Sequence, residues 1–321
     1  MSNQRTGKAV RDSLMNLPAN LQETYAKMLE KILPDDRKYV RRALLWLSFA
    51  VRPLSLAELN EAVVLDESDT TLVEDDQLFP PQIILNLCQG LIDSDMGKLT
   101  LSHSSVKDFL TSNWITTSKV RDFRLDYLDG NRTIMRKCLT YLCFDDFKYG
   151  YSILKTQIDG RFEKYPLLSY AAHFWAIHGN ICSFDAPDRE IVNRFFATKK
   201  LLHGGNFGVW VQCLIPRAGQ YDIERTEPLY YAASFGLVPV IKAIIESDPH
   251  LNIDAEGGRV GSTPLFVAGW RKNYDVVELL LQAGADPELL DYSTGYDLIS
   301  FAKAYGDYRL LELIDKYRKV K

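Results

Sequence analysis

The sequence predicts a mainly α fold: a helical domain with a small β-hairpin, a helical connector, and a short solenoid of helical repeats. Three observations carry this expectation. Thr263-Pro264-Leu265-Phe266-Val267-Ala268 is followed by Val276-Val277-Glu278-Leu279-Leu280-Leu281 and Gly284-Ala285-Asp286-Pro287, two short apolar helices closed by a glycine turn. Related runs lie on both sides, with Ala232, Ala268 and Ala302 spaced by 36 and 34 residues. Upstream, residues 34–115 read as helix, short helix, helix, hairpin, helix, and residues 131–216 are aromatic and helical throughout.

The repeats come first because they say most. Before the central one, Glu227-Pro228-Leu229-Tyr230-Tyr231-Ala232-Ala233-Ser234-Phe235-Gly236 leads into Val240-Ile241 and Ile244-Ile245. After it, Ile299-Ser300-Phe301-Ala302-Lys303-Ala304-Tyr305-Gly306 leads into Leu310-Leu311 and Leu313-Ile314. A period near 33 residues with a Thr-Pro-Leu start resembles the ankyrin repeat, a unit that cannot bury its apolar face alone and so stacks on neighbours. About three such repeats are expected over residues 217–321. The histidine usual after Thr-Pro-Leu is replaced by Tyr230, Phe266 and Ser300, so its hydrogen bond is expected to be missing. The third repeat has Asp297-Leu298 in place of Thr-Pro. The ending Asp315-Lys316-Tyr317-Arg318-Lys319 is polar, as a terminal cap should be, and reads as a natural end of the array.

Composition bounds the rest. A chain of 321 residues accommodates about two domains, and 46% hydrophobic with 25% charged residues is ordinary for a folded globular protein. A net charge of −4 gives no electrostatic reason to expect a nucleic acid or an anionic membrane as partner. Cys88, Cys138, Cys143, Cys182 and Cys213 are scattered and odd in number, which suits a reducing compartment. The start, Met1-Ser2-Asn3-Gln4-Arg5, lacks the apolar core of a secretory signal. The longest apolar run, around Ala43 to Val51, is far shorter than a membrane span. These features predict a soluble intracellular protein, cytoplasmic or nuclear.

Helical periodicity then orders the N-terminal half. Val10, Leu14 and Leu17 share a face until Pro18 interrupts, and residues 1–33 are read as N-terminal helices. Asn20 with Glu23 resembles a capping arrangement ahead of the stripe Leu21, Tyr25, Met28, Leu29 and Ile32. Pro34-Asp35-Asp36 opens the next helix, with Val40, Ala43, Leu44, Leu47 and Ala50 on one face. Ser55 and Glu58 stand at capping-box spacing before a short helix through Val64. Asp66 to Asp76 reads as an acidic loop, Pro81 to Leu91 as a helix, Leu91 to Leu101 as strand, turn and strand, and Ser104 to Trp114 as a last helix. Helix, short helix, helix, hairpin, helix is the order of a winged-helix domain, placed at 34–125. Residues 126–216 form the connector, expected to cap the open end of the repeats. In it Ile134, Cys138, Tyr141 and Leu142 make one stripe, and Ile191, Phe195 and Leu202 another. Leu167 to Ile177 is apolar on nearly every side and expected to be deeply buried.

The runs LPANLQETYAKMLEKI, ALLWLSFAVRPLSLAELNEAV and LTLSHSSVKDFLTS resemble the helical and winged-helix region that follows the nucleotide-binding module of fungal NACHT-type receptors. Those receptors are STAND NTPases, and the region is often labelled after GPI inositol-deacylase. The run YPLLSYAAHFWAIHG resembles the segment joining that region to ankyrin repeats in the same proteins. The resemblance covers roughly residues 10–180 and continues into the repeats. It implies the sensor-side half of a receptor associated with non-self recognition and programmed cell death, here without nucleotide switch or effector domain. The chain is then a stand-alone adaptor, a regulator in trans, or a remnant.

Catalytic patterns are missing where that resemblance would ask for them. Nucleotide hydrolysis needs a glycine-rich phosphate cradle followed by Lys and a hydroxyl. The nearest cluster, Gly257-Gly258-Arg259-Val260-Gly261-Ser262, lacks the lysine and falls in an inter-repeat finger. No G-x-S-x-G nucleophile elbow occurs. His103-Ser104-Ser105 puts an imidazole beside hydroxyls, but Ser104 or Ser105 is expected to cap the next helix. His173 and His178 are five apart, as are Cys138 and Cys143, so neither pair shares a helix face as metal ligands would. No catalytic, cofactor or metal site is expected. Residues 34–115 carry seven Lys/Arg against thirteen Asp/Glu, and Pro81 to Gly90 has no cation, which argues against DNA binding by the winged helix.

The expected function is therefore non-enzymatic: a protein-interaction module or adaptor that binds a protein partner through the ankyrin groove. No nucleic acid, membrane or small-molecule substrate is expected. An ankyrin-repeat coregulator that binds a transcription factor is the alternative. In such a stack the fingers and the first helix of each pair line the groove, so the candidate contacts are Tyr230, Phe266, Trp270, Arg271, Asn273 and Tyr274, with Arg259, Glu256 and Tyr292 on the fingers. Aromatics and arginine are the side chains that anchor interfaces.

Overall fold

The structure, a computed structural model, describes residues 19–73, 77–215, 219–258 and 260–318. The expected helix through Val10, Leu14 and Leu17, the acidic residues 74–76, finger residue Arg259 and the polar end at Lys319 lie outside the described residues, as does the Asn20 side chain. Among the described residues, 19–67 with 72–137 form one compact unit and 68–71 with 138–318 another.

The first unit opens with α1 (Ala19–Glu30), whose Tyr25 and Leu29 are buried. Helix α2 (Arg37–Phe49) buries Val40, Ala43, Leu44, Leu45, Trp46 and Phe49, a wider face than the single stripe its spacing suggests. It is enclosed by α3 (Leu56–Val64) and by a three-stranded antiparallel sheet of order β1 (Leu54–Ser55), β3 (Lys98–Leu101), β2 (Ile92–Asp95). The wing is read correctly from the sequence. Strand β1 is not, because two residues show no alternation. Leu54 pairs with Leu99, and this short pairing ties the wing to the start of α3. Ser55 accepts from Glu58 N at 3.2 Å, while the Glu58 carboxylate accepts from Ser55 N at 2.7 Å, the expected capping box. Arg52 also donates to Glu58 at 2.6 and 3.1 Å. Burial alone would raise the Glu58 pKa, but the Arg52 guanidinium and the Ser55 backbone hold it below the usual range.

Two helices are shorter than expected. Helix α4 (Ile83–Leu87) stops because Gln89 and Gly90 both take positive φ, 49° and 82°. Helix α5 (Ser104–Thr111) ends at Ser112, whose extended backbone breaks the helix and whose hydroxyl donates to Phe109 O at 2.8 Å. Its cap also differs from expectation. His103 is the N-cap, with Nδ1 accepting from Ser105 N at 3.1 Å; neither serine caps the helix. The Ser105 hydroxyl lies 2.7 Å from that Nδ1 and 2.8 Å from Tyr25 Oη, so it is held within the packing and not presented to solvent.

Helix α6 (Tyr127–Leu142) buries Ile134, Cys138, Tyr141 and Leu142, the expected stripe. In the second unit, α7 (Lys155–Lys164) precedes α8 (Leu168–Ile181), which buries Leu168, Tyr170, Ala171, Ala172, Trp175 and Ala176. His173 and Ile177 reach the surface, so burial of α8 is less complete than its composition predicts. Next come α9 (Ala186–Ala197) and α10 (Gly205–Leu214). Leu202 does not extend the stripe of Phe195. The helix stops at Ala197, the chain turns, and Leu202 is 67% exposed. Rings from Trp175, Phe195, Phe196, Phe207 and Trp210 pack with centroids 5.5–6.3 Å from Trp210 or Phe195. That mass of aromatic surface is the core of the connector.

After α11 (Gln220–Arg225), three helix pairs follow: α12 (Pro228–Phe235) with α13 (Val238–Ser247), α14 (Pro264–Trp270) with α15 (Tyr274–Gln282), and α16 (Leu298–Ala304) with α17 (Tyr308–Arg318). The Ala232, Ala268 and Ala302 positions are each fully buried, where a larger side chain would hold neighbouring helices apart. Proline starts α12, α13 and α14, where its missing N–H costs nothing. Thr263 caps α14 by accepting from Phe266 N at 3.1 Å, and Asp297 caps α16 by accepting from Ser300 N at 2.6 Å. The unusual Asp297-Leu298 start therefore keeps the capping chemistry of threonine. The mainly α expectation, with a β wing and a repeat stack, describes the protein.

Candidate protein-interaction surface

Between the repeats and the C-terminal end of α10 runs a groove of about 650 Å³. Its floor is apolar and aromatic, built from Tyr230, Tyr231 and Phe235 of α12 with Val267 and Trp270 of α14. Leu214 and Ile215 close one side, and Gly258 and Val260 of the finger close another. These side chains meet because the first helices of successive repeats, α12 and α14, lie side by side.

Local bonding holds the finger over the groove. Gly257 and Ser262 form a two-way backbone bridge at 2.9 and 3.1 Å. Thr226 donates to Asp222 O at 2.6 Å and accepts from Gly258 N at 2.9 Å, while Arg225 donates to Gly258 O at 3.1 Å. Gly258 has φ +67°, and a Cβ there would sit 2.4 Å from Tyr230 Oη. Only glycine lets the finger approach the tyrosine this closely. On the next finger, Asp291 binds Ser262, Ser293 and Thr294. Its burial would raise its pKa, but those hydrogen bonds hold the carboxyl below the usual range.

The residues expected to make contacts fall into separate environments. Trp270 is 57% exposed, and the exposed Arg271 lays its guanidinium 5.2 Å from the centre of the Trp270 ring. Tyr230 lines the groove but is buried, its ring perpendicular to Tyr231 at 5.3 Å. Burial pushes its phenol pKa up, with Arg271 opposing. Phe266 is 4% exposed and packs edge-on against Phe301 at 5.4 Å, inside the repeat stack. Asn273 donates to Ala233 O and Ser234 O at 2.9 and 3.0 Å, joining two repeats. Tyr274 donates to Asp307 at 2.9 Å, beneath the Arg309 guanidinium. Tyr292 is 75% exposed, Glu256 is exposed, and neither lines the groove; Arg259 is not described.

His173, Leu214, Ile215 and Phe235 line the groove although none was among the contacts expected from the sequence. The first three belong to the connector. No repeat pattern points to them, since their place depends on how α8 and α10 pack beside α12. His178, by contrast, is enclosed in the core with Nε2 2.8 Å from Tyr170 Oη, and burial lowers its pKa to about 4. Among the described residues, no group of three or more His, Cys, Asp or Glu is placed to hold a metal ion. None of the described helices is long and apolar enough to cross a membrane.

Comparison with known proteins agrees with this architecture. Residues 26–126 match the family described as GPI inositol-deacylase, winged helix domain, and residues 195–291 match ankyrin repeats (3 copies). The chain is 28% identical over 301 residues to "Azaphilone pigments biosynthesis cluster protein L" of Monascus ruber, covering 85% of this chain and 61% of that protein. It thus spans about three-fifths of the length of that relative. Shorter similarities reach "Probable E3 ubiquitin-protein ligase XBOS32" of Oryza sativa subsp. japonica, 30% identical over 31% of this chain and 20% of that one. "Palmitoyltransferase AKR1" of Lachancea kluyveri is 32% identical over 24% of this chain and 10% of its own. No solved structure matches the chain. The ankyrin match supports a protein-interaction module and points to a non-catalytic domain, while the names attached to the winged helix and to the last relative are those of enzymes.

Proposed function

We propose that this chain is a non-enzymatic adaptor that binds a protein partner in the groove between α12, α14 and the connector. The carrying observation is Trp270: a tryptophan 57% exposed at the edge of an apolar groove, in a fold whose Trp46, Trp175 and Trp210 are fully buried and whose Trp114 is half-buried. Exposed indole next to arginine is the composition of an interface anchor. In this reading Trp270, Arg271 and Tyr230 form the contact, while Phe266, Asn273 and Tyr274 maintain the stack, and Tyr292 extends the surface along its finger; Arg259 stays a candidate contact on its sequence position alone. Residues 126–216 cap the stack, and 34–125 is a structural winged helix that binds no nucleic acid. The arrangement resembles the sensor side of a fungal NACHT–ankyrin receptor acting in the cytoplasm or nucleus.

Affinity purification of the whole protein from its native cell tests this, with Trp270→Ala and Arg271→Ala in parallel. The expected result is a protein partner recovered by the natural chain and lost with either variant, and no ATP turnover or esterase activity from the pure protein. Partners retained equally by both variants, or hydrolysis that co-purifies through every step, would overturn it.

A further inference from the structure

We infer that the groove selects a linear peptide segment in which an apolar side chain stands next to a carboxylate. The inference rests on the interaction reading above and goes further by naming the partner's chemistry. Three observations carry it. The twelve residues lining the groove include no Asp or Glu. Arg271 lines the groove, exposed, and has no carboxylate partner among the described residues; its guanidinium lies 5.2 Å from the centre of the Trp270 ring. His173 lines the same groove with Nδ1 bound to Ser169 O at 2.8 Å, which directs its other ring nitrogen away from its own helix backbone.

Other cations of the same unit are held by carboxylates of the protein itself: Lys316 by Glu278, Lys199 by Glu227, and Arg225 by Asp222. The protein as a whole carries −4, so its general field repels acidic segments. Only a local arrangement can attract one. Arg271 stacked on Trp270 supplies it: the indole restricts the guanidinium and shields one face from water, leaving its edge for a two-oxygen contact. The Tyr230, Phe235 and Val267 side chains beside it give the groove an apolar and aromatic lining suited to an apolar side chain of the partner. A basic or purely polar segment would leave Arg271 unpaired and the aromatic floor uncovered.

The test is to pan a displayed library of random linear peptides against the full chain and sequence the enriched pool. Synthetic copies of the enriched peptides are then titrated against the natural chain, Arg271→Glu, Arg271→Gln and Trp270→Ala, with melting curves confirming that each variant is folded. The expected pool places Asp or Glu within a few residues of Leu, Ile, Phe or Trp. Arg271→Glu then weakens those peptides about tenfold or more, Arg271→Gln less, and raised salt weakens the natural pair. An enriched pool that depends on Trp270 but shows no acidic preference, or is indifferent to Arg271→Glu, overturns this inference and leaves the interaction groove standing. An empty pool, or peptides that bind Trp270→Ala equally well, overturns both.

Discussion

Asn273 shows how much one polar side chain does in a repeat stack. Its Nδ2 donates to Ala233 O and Ser234 O, carbonyls in the last turn of the preceding first helix, of which Ala233 O also accepts from Gly236 N at 3.2 Å. Asn273→Ala leaves both without that donor, and is expected to cost about 1–2 kcal/mol, read as a lower urea midpoint with an unchanged slope. His178 sets a pH dependence. Its pKa falls from 6.5 to about 4 through burial, so between those values the unfolded chain binds a proton that the folded chain refuses. Its contribution is complete above the upper value and is lost as pH falls through the window, on the order of 3 kcal/mol in all. Glu58 and Asp291, whose pKa values are lowered, lose their contributions only further into acid. Urea titrations should therefore show the natural chain weakening between about pH 6.5 and 5, and His178→Gln with a flatter profile there. An identical slope in both would reject the assignment.

At the scale of elements, capping was readable at one helix of the first unit and displaced by one residue at another. Ser55 and Glu58 announce their helix by spacing alone, because a three-residue separation lets each bond the other's backbone. His103 gives no such signal, since histidine is an unusual cap and the nearby serines are favoured ones. In the repeats, Thr263 and Asp297 cap α14 and α16 through their side chains, whereas Glu227 pairs with Lys199 and leaves α12 without a side-chain cap. Asp297→Ala is expected to destabilise the chain by about 1 kcal/mol, with Asp297→Asn restoring most of it, in equilibrium denaturation. Equal losses for the two substitutions would mean that capping is not what Asp297 contributes. Strand β1 escaped detection for a different reason: its existence depends on β3, which lies more than forty residues on in sequence.

At the scale of the molecule, the first repeat does not stand alone. Trp210 packs on Tyr231 at 5.0 Å and Phe235 at 5.8 Å, and Phe207 on Tyr231 at 6.1 Å, so connector rings cover the open face of α12. A fragment beginning at Arg225 would expose those tyrosine and phenylalanine faces. It is expected to melt without a cooperative transition, or far below the whole chain, by circular dichroism. A cooperative melt matching the whole chain's would show the repeats to be self-sufficient. Stacking of this kind also explains why Leu214 and Ile215 reach the groove, although nothing in their sequence marks them.

Alone, the sequence determined the helical class, the wing, the repeat period and the start of most repeat helices. Each of these follows from interactions within a few residues: apolar periodicity, proline at a first turn, an oxygen three residues before an amide. Tertiary structure decided which aromatic residues stayed available. Tyr230, Phe266 and Trp270 all lie in the first helix of a repeat. Yet Phe266 is enclosed by Phe301, Tyr230 is mostly covered by a finger that only glycine could bring so near while still lining the groove, and Trp270 is left largely in solvent. Exposure is a property of neighbours distant along the chain, and no local pattern encodes it.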